Sequence, residues 1–298
     1  MERLASFCAV ADAGSIVKVA GGDPVRQSLI SRQIRELEIF FGAELVRRKG
    51  RGLELTASGR ELAAVGRENF KGLSDFAARC QEAPWRARLV ASNSVAYWHL
   101  LPKLHLLGEA AEKVRFSVFH EQTHDMVNMT REGTYDLAFV HEEAIDAGFS
   151  RIVLGTVGHT LLVPKTLVTK APPDLETALS QIPLAIPLGG KMRSLLDQLA
   201  GQGGFPLDIL VSCSSYLQAS QILVQGSLAA VLPDLALPTL DLSLYHCFEV
   251  PYSYQLCLAW IGRNADTRPA LLRLIGELGA VAKIPPRSAK SGASETRK

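Results

Sequence analysis

Apolar residues near the start of the chain recur with helical spacing. Leu4, Phe7, Val10 and Ala11 fall at i, i+3, i+6 and i+7, the stripe of a packed amphipathic helix. Ser15 is placed to cap a second, short helix whose inner face offers Ile16, Val19 and Ala20, and Gly21-Gly22 ends it. Asp23-Pro24 then reads as the N-cap and first-turn proline of a longer helix, because proline fits where the backbone N–H has no helical partner anyway. From Pro24 to about Phe41 that helix is expected to bury Val25, Leu29, Ile30, Ile34, Leu37 and Phe41. Its other face presents Arg26, Gln27, Ser28, Ser31, Arg32 and Arg35. Residues 45–56 follow as two short extended pieces around a basic turn.

A stripe through Leu62, Val65, Asn69, Leu73, Phe76 and Cys80 then alternates by threes and fours, which is coiled-coil spacing with one polar residue in the seam. Packing of this helix on its own domain is the alternative that the pattern leaves open. The composition changes near Pro84. Apolar runs at 88–92, 115–119, 136–140, 228–232 and 255–260 are short and interleaved with amphipathic stretches, the mark of an α/β domain with a mostly parallel sheet covered on both faces. From 286 to 298 almost nothing can be buried, so a disordered tail is expected.

With 298 residues and 47% apolar content, the chain can bury a core in about two folding units. The net charge of +2 identifies no partner, since phosphate binding depends on where basic residues cluster. Five cysteines, an odd number without a C-x-x-C pair, suggest neither a disulfide framework nor zinc. Their apolar neighbours favour inert core thiols over a peroxide-sensing pair. No apolar run reaches the length of a membrane span. Residues 4–14 resemble a short secretory leader, but their helical stripe favours a packed helix. Metal-ligand spacing, a phosphate-cradling glycine loop and a nucleophile elbow are all missing, which argues against an enzyme. The glycines of 201–204 precede Phe205-Pro206 and read as a loop.

Amide, hydroxyl and guanidinium groups on one face of a second helix suit hydrogen bonds to base edges and phosphates in a major groove. Arg48, Lys49 and Arg51, with Arg47, are placed like a wing against phosphate or a minor groove. Residues 9–15 (AVADAGS) and 31–38 (SRQIRELE), with Phe41-Gly42, Leu45, Arg48, Leu55-Thr56 and Gly59, resemble the signature of LysR-type transcriptional regulators. Two departures stand out: Gly21-Gly22-Asp23-Pro24 replaces a polar stretch ending in leucine, and Arg26 stands where serine is common. More weakly, Leu101-Pro102, residues 133–139 and residues 226–233 resemble the family's effector domain.

The resemblance implies an α+β multidomain chain. It comprises a winged helix-turn-helix over 1–58, a long linker and dimerisation helix over 59–86, and a two-lobed α/β, periplasmic-binding-protein-like effector domain over 87–285. It implies a homodimer or tetramer on a double-stranded DNA operator, RNA polymerase as a further partner, a cytoplasmic setting and no membrane. No cofactor is implied, only a small-molecule co-inducer. Strand crossings near Leu161 and Tyr254 would form the hinge. Ligands of such sheets lie beyond the carboxyl ends of strands. That placement selects Ser92, Asn93 and Ser94, then His141 and Glu142, and Ser214 and Ser215, although each could equally be an ordinary helix cap. His141 and Glu142 replace a small hydroxyl residue common in the family. A solute-binding protein without a transcriptional role is the alternative for the second half, but it leaves the first part of the chain without a purpose. An architectural DNA-binding protein would need no ligand domain.

Overall fold

In the computed structural model, residues 1–49, 52–108 and 113–286 are described. Arg51 and residues 287–298 of the expected tail therefore lie outside the described residues.

Three helices, α1 (Glu2–Ala13), α2 (Ile16–Ala20) and α3 (Pro24–Phe41), precede an antiparallel pair, β1 (Val46–Lys49) and β2 (Gly52–Leu55). Local chemistry sets their ends. Ser15 Oγ accepts the Lys18 N–H and Asp23 Oδ1 accepts the Val25 N–H at 2.8 Å, while Gly14, Gly21 and Gly42 stop the three helices in the left-handed region. Phe7, Val10, Ala20, Ile30, Ile34, Leu37 and Leu45 form one core.

The buried arc of α3 is narrower than the sequence suggests: Ile30, Gln33, Ile34 and Leu37 face inward, whereas Val25, Leu29 and Phe41 are 79%, 48% and 50% exposed. The reason is geometric. Buried positions at i, i+3, i+4 and i+7 make a single stripe, and residues outside it reach solvent however apolar they are. Gln33 is accommodated inside because its Nε2 donates to Glu2 Oε1 at 3.3 Å.

Helix α4 (Ala57–Cys80) starts on Thr56, whose hydroxyl accepts the Gly59 N–H at 3.0 Å. It ends at Cys80, so Trp85 and Arg86, included in the expected linker, belong to the next strand. Its Ala63, Ala64, Gly66, Glu68 and Asp75 pack on the rest of this chain, while Asn69, Leu73, Phe76 and Cys80 remain exposed. Packing on the chain's own domains thus accounts for one face of the helix. Leu62, at the head of the expected stripe, also packs against the core of the first unit, so only its later positions Asn69, Leu73, Phe76 and Cys80 look outward.

The second unit is one eight-stranded sheet, ordered β4-β3-β5-β10-β6-β9-β7-β8. Strands β3 (Trp85–Ala91), β4 (Val114–His120) and β5 (Leu137–His141) run parallel in the first lobe. Strands β7 (Leu184–Pro187), β8 (Ile209–Cys213) and β9 (Ala229–Pro233) run parallel in the second. Between them, β6 (Phe149–Pro164) and β10 (Tyr245–Ile261) traverse both lobes as a long antiparallel pair, so the sheet is mixed rather than mostly parallel. A register shift between Val250 and Ser253, opposite His159 and Gly158, marks the crossing. Tyr254 lies there, but Leu161 does not: it pairs with Phe248 and Val231 inside the second lobe's core. The glycines at 201–203 are also helical. Leu196 and Ala200 hold that helix (Gly190–Gly203) on the core, and left-handed Gly204 ends it.

His99 is buried, and its Nε2 donates to the Ala282 carbonyl at 2.7 Å, fastening the end of the last helix. Burial first, then the charge of Lys103, lowers its pKa to about 4. Unfolded His99 takes up its proton near pH 6.5, so stability from the neutral ring is intact above that value and drains as pH falls toward 4. The expected loss reaches up to about 3 kcal/mol. Urea midpoints for wild type and His99→Gln between pH 4 and 7 should converge at the acid end. Parallel curves would remove His99 from the acid response.

Candidate DNA-binding face and effector cleft

Gln27, Ser28, Ser31, Arg32 and Arg35 line one open groove together with Ser15 of the α2 cap and Gly52 and Leu53 of the β-hairpin. This face exists because the other side of α3 is committed to the core. Ser28 Oγ donates to Pro24 O at 3.0 Å, leaving its lone pairs outward. Arg32 Nε is 2.9 Å from Glu36 Oε1, and Arg3 Nε is 2.6 Å from Glu36 Oε2. The Arg32 hydrogen bond is the main reason the Glu36 carboxyl sits below its usual range. Arg26 is exposed in the first turn but is not part of the groove lining. Arg48 and Lys49 lie in β1. Glu38 Oε1 accepts the Leu45 and Val46 N–H groups at 2.9 and 3.3 Å, which fixes the hairpin to α3.

Between the lobes lies a cleft of about 530 Å³. The parallel strands of both lobes aim their carboxyl ends at it, the arrangement that places ligands in open α/β sheets. Six of the seven residues selected from the sequence line it: Ser92, Asn93 and Ser94 after β3, His141 at the end of β5, and Ser214 and Ser215 after β8. Two of these are also helix caps, Ser92 toward the Val95 N–H and Ser215 toward the Gln218 N–H. Ser214 Oγ donates to Gln218 Oε1 at 3.1 Å. Glu142 is the exception. It is absent from the lining, and Arg151 holds it at 2.9 Å; the 3₁₀ turn Glu142–Ala144 presents Glu143 instead.

Sequence reasoning missed several lining residues. His120, Glu121, Gln122 and Thr123 follow β4, whose carboxyl end could have been treated like the others. Lys191 begins the helix after β7 and forms an ion pair with Glu143 across the mouth of the cleft. His159, Tyr252 and Tyr254 come from the crossing strands, and Tyr216 follows Ser215. His141 stacks on Tyr254 with ring centroids 3.7 Å apart and planes 13° apart; burial first, then Lys191, lowers its pKa.

Helix α4 joins the two sites. Arg67 Nη2 meets Asp12 of α1 at 2.7 Å while its Nη1 donates to the Glu132 carbonyl of the first lobe at 2.6 Å.

A family model described as the LysR substrate binding domain matches residues 83–283, and one described as a bacterial regulatory helix-turn-helix protein of the lysR family matches residues 1–60. The chain belongs to the LysR family. It is a DNA-binding transcriptional regulator with an effector-binding domain. A probable hydrogen peroxide-inducible genes activator of Mycobacterium leprae is 26% identical over 242 residues, covering 79% of this chain and 78% of the relative. The crystal structure of ArgP from Mycobacterium tuberculosis superposes with a TM-score of 0.72 at 20% identity, covering 95% and 97% of the two chains. Full-length CbnR in complex with its target DNA gives 0.52 at 19% identity, covering 95% and 99%. These superpositions show a shared fold.

Proposed function

We propose that this LysR-family regulator reads a two-fold-related DNA site as a homodimer, through α3 and the β-hairpin, under control of a small molecule held between the lobes. The observation that carries the reading is the division of α3. Its apolar side is locked into the core, and its Gln27, Ser28, Ser31, Arg32 and Arg35 side lines an open groove. The outward stripe of α4 supplies the dimer seam, and two-fold symmetry would set the reading helices on successive major grooves. On this reading the work divides as 1–58 for DNA, 59–80 for pairing and 85–285 for the effector, with RNA polymerase as partner in the cytoplasm. The solute-binding alternative gives no role to residues 1–60, which match the family's DNA-binding model.

Peroxide sensing does not transfer from the mycobacterial relative to the buried Cys8, Cys213 and Cys257, whereas Cys80 and Cys247, expected as core thiols, are exposed. Peroxide-reactive cysteines need a stabilised thiolate. Burial instead pushes the thiols of Cys8 and Cys257 up to about 11 and raises that of Cys213, which lines the cleft.

Selection from random duplexes at several salt concentrations tests the reading. Wild type should enrich a palindromic sequence with affinity falling steeply in salt. Arg32→Ala should lose roughly 1–3 kcal/mol on that site and relax its specificity. Enrichment of no sequence, with Arg32→Ala equal to wild type, would sink the assignment of α3.

A further inference from the structure

We infer that the effector is an organic cation, an ammonium or guanidinium compound, seated against a box of aromatic rings at the crossing of the lobes. This rests on the reading of the cleft as the effector site. Around His159 stand Tyr216, Tyr252 and Tyr254, with ring centroids at 5.6, 5.0 and 6.0 Å, and His141 stacked on Tyr254 closes the cluster. All five rings line the cleft. Burial is the main cause that raises the hydroxyl pKa of each of the three tyrosines, so the phenols stay neutral. Faces of neutral aromatic rings carry negative potential, so the ring faces that line the cleft beside buried His159 attract a cation, most strongly where water is excluded.

Fixed charge points the same way. Among the described lining residues the formal charges outside the histidines are Glu121, Glu143 and Lys191. Glu143 pairs with Lys191, and this contact raises the pKa of the lysine and lowers that of the carboxyl, so the one cation of the lining already has an anion. Glu121 is the remaining carboxylate. Its Oε1 accepts the Tyr135 hydroxyl at 3.1 Å, which orients it. Outside its histidines the described lining therefore carries one negative charge in excess. Helix N-termini around the cleft favour anions, but Ser92 and Ser215 already occupy N–H groups of two of them. The amides that remain suit a polar or anionic group elsewhere on the same ligand.

Titration calorimetry on the full-length protein distinguishes the charge classes, with choline, agmatine and arginine as cationic probes and benzoate as the anionic aromatic probe. At least one cation should bind, and Glu121→Gln should weaken it a few-fold at low salt, through loss of a charge across the cleft rather than of a contact. Tyr252→Phe should retain binding and Tyr252→Leu should lose most of it, because the ring and not the hydroxyl makes the contact. Binding of benzoate alone, unaffected or strengthened in Glu121→Gln, overturns the inference, as does failure of every cationic probe to bind. DNA binding measured with the same probes keeps the two readings apart. A cation that binds the cleft but leaves DNA affinity and footprint unchanged supports the cation site and counts against the regulatory reading.

Discussion

Arg268→Ala is expected to destabilise the chain by roughly 3–5 kcal/mol, the usual cost of removing one partner from a buried ionic cluster. Arg268 is 2% exposed. Its Nε donates to Asp75 Oδ2 at 2.6 Å, its Nη1 to Asp136 Oδ1 at 2.7 Å, and its Cζ lies 5.7 Å from the centroid of the Trp85 ring. Lys71 Nζ adds contacts of 2.6 Å to Asp136 and 3.0 Å to Glu68, and the Arg88 N–H donates to Asp136 Oδ2 at 2.8 Å. Burial alone would raise Asp136, but Lys71 and Arg268 outweigh it and hold the carboxyl below its usual range. Glu68 and Asp75 are pushed up, mainly by burial.

Without Arg268 the buried carboxylates take up protons more readily folded than unfolded. The deficit of the variant should therefore be larger at pH 8 than at pH 5, because protonation removes the uncompensated charge. Urea unfolding at both pH values measures this. Arg268→Lys should recover only part, since one ammonium cannot reproduce two arms of a guanidinium aimed at separate carboxylates. A loss under about 1 kcal/mol at both pH values would show that burial cost cancels the attraction. The cluster matters for regulation because α4 supplies Glu68, Lys71 and Asp75, while Asp136 and Arg268 belong to the effector domain. The helix next to the DNA-binding unit is thus fastened to the first lobe by charge that cannot be solvated in place.

Gly59→Ala is the second large effect, with an expected loss of at least about 3 kcal/mol, at or beyond the upper end of overpacking costs. A Cβ at Gly59 would stand 2.0 Å from the Leu45 carbonyl oxygen. That oxygen is backbone and already accepts the Thr56 N–H at 3.1 Å, so no side chain can swing away to make room. Leu45 belongs to the core of the DNA-binding unit, and the damage should fall there. Circular dichroism melting should show an early transition with DNA binding lost, while the effector domain keeps its own transition. Gly201→Ala is the control: nothing lies within 4 Å of its Cβ, and alanine in place of a helical glycine should be neutral or stabilising by about 0.5–1 kcal/mol. A Gly59→Ala protein that melts like wild type would mean that the Leu45 backbone relaxes freely.

The match of Thr56 and Gly59 to a family pattern was legible in the sequence, but its cause was not. Thr56 caps α4 and Gly59 admits the Leu45 carbonyl, and only the second needs a partner from across the hairpin. The cleft divides in the same way. Ser92, Asn93, Ser94, His141, Ser214 and Ser215 could be found because each follows an apolar run and strand ends converge in such a sheet. Glu142 was misplaced by one residue, because a 3₁₀ turn after β5 decides which carboxylate faces the cleft, and no periodicity reports that turn.

By itself the sequence determined the elements of the N-terminal unit and the polar face of α3, because caps, stops and apolar spacing act over a few residues. Asp23, Gly42 and the apolar runs needed nothing distant to do their work. Only the tertiary structure decided which apolar residues of α3 are covered, with Val25, Leu29 and Phe41 left outside and Gln33 taken in. It alone brought Arg268 to Asp75 and Asp136, 193 and 132 positions away, and gathered tyrosines and histidines from β6, β10 and the strand ends into one box. The rings meet because two long strands cross between the lobes, and the Arg268 cluster forms because α4 packs where β5 and the last helix begin. Nothing in the spacing of residues along the chain carries the energy of a contact made across that crossing.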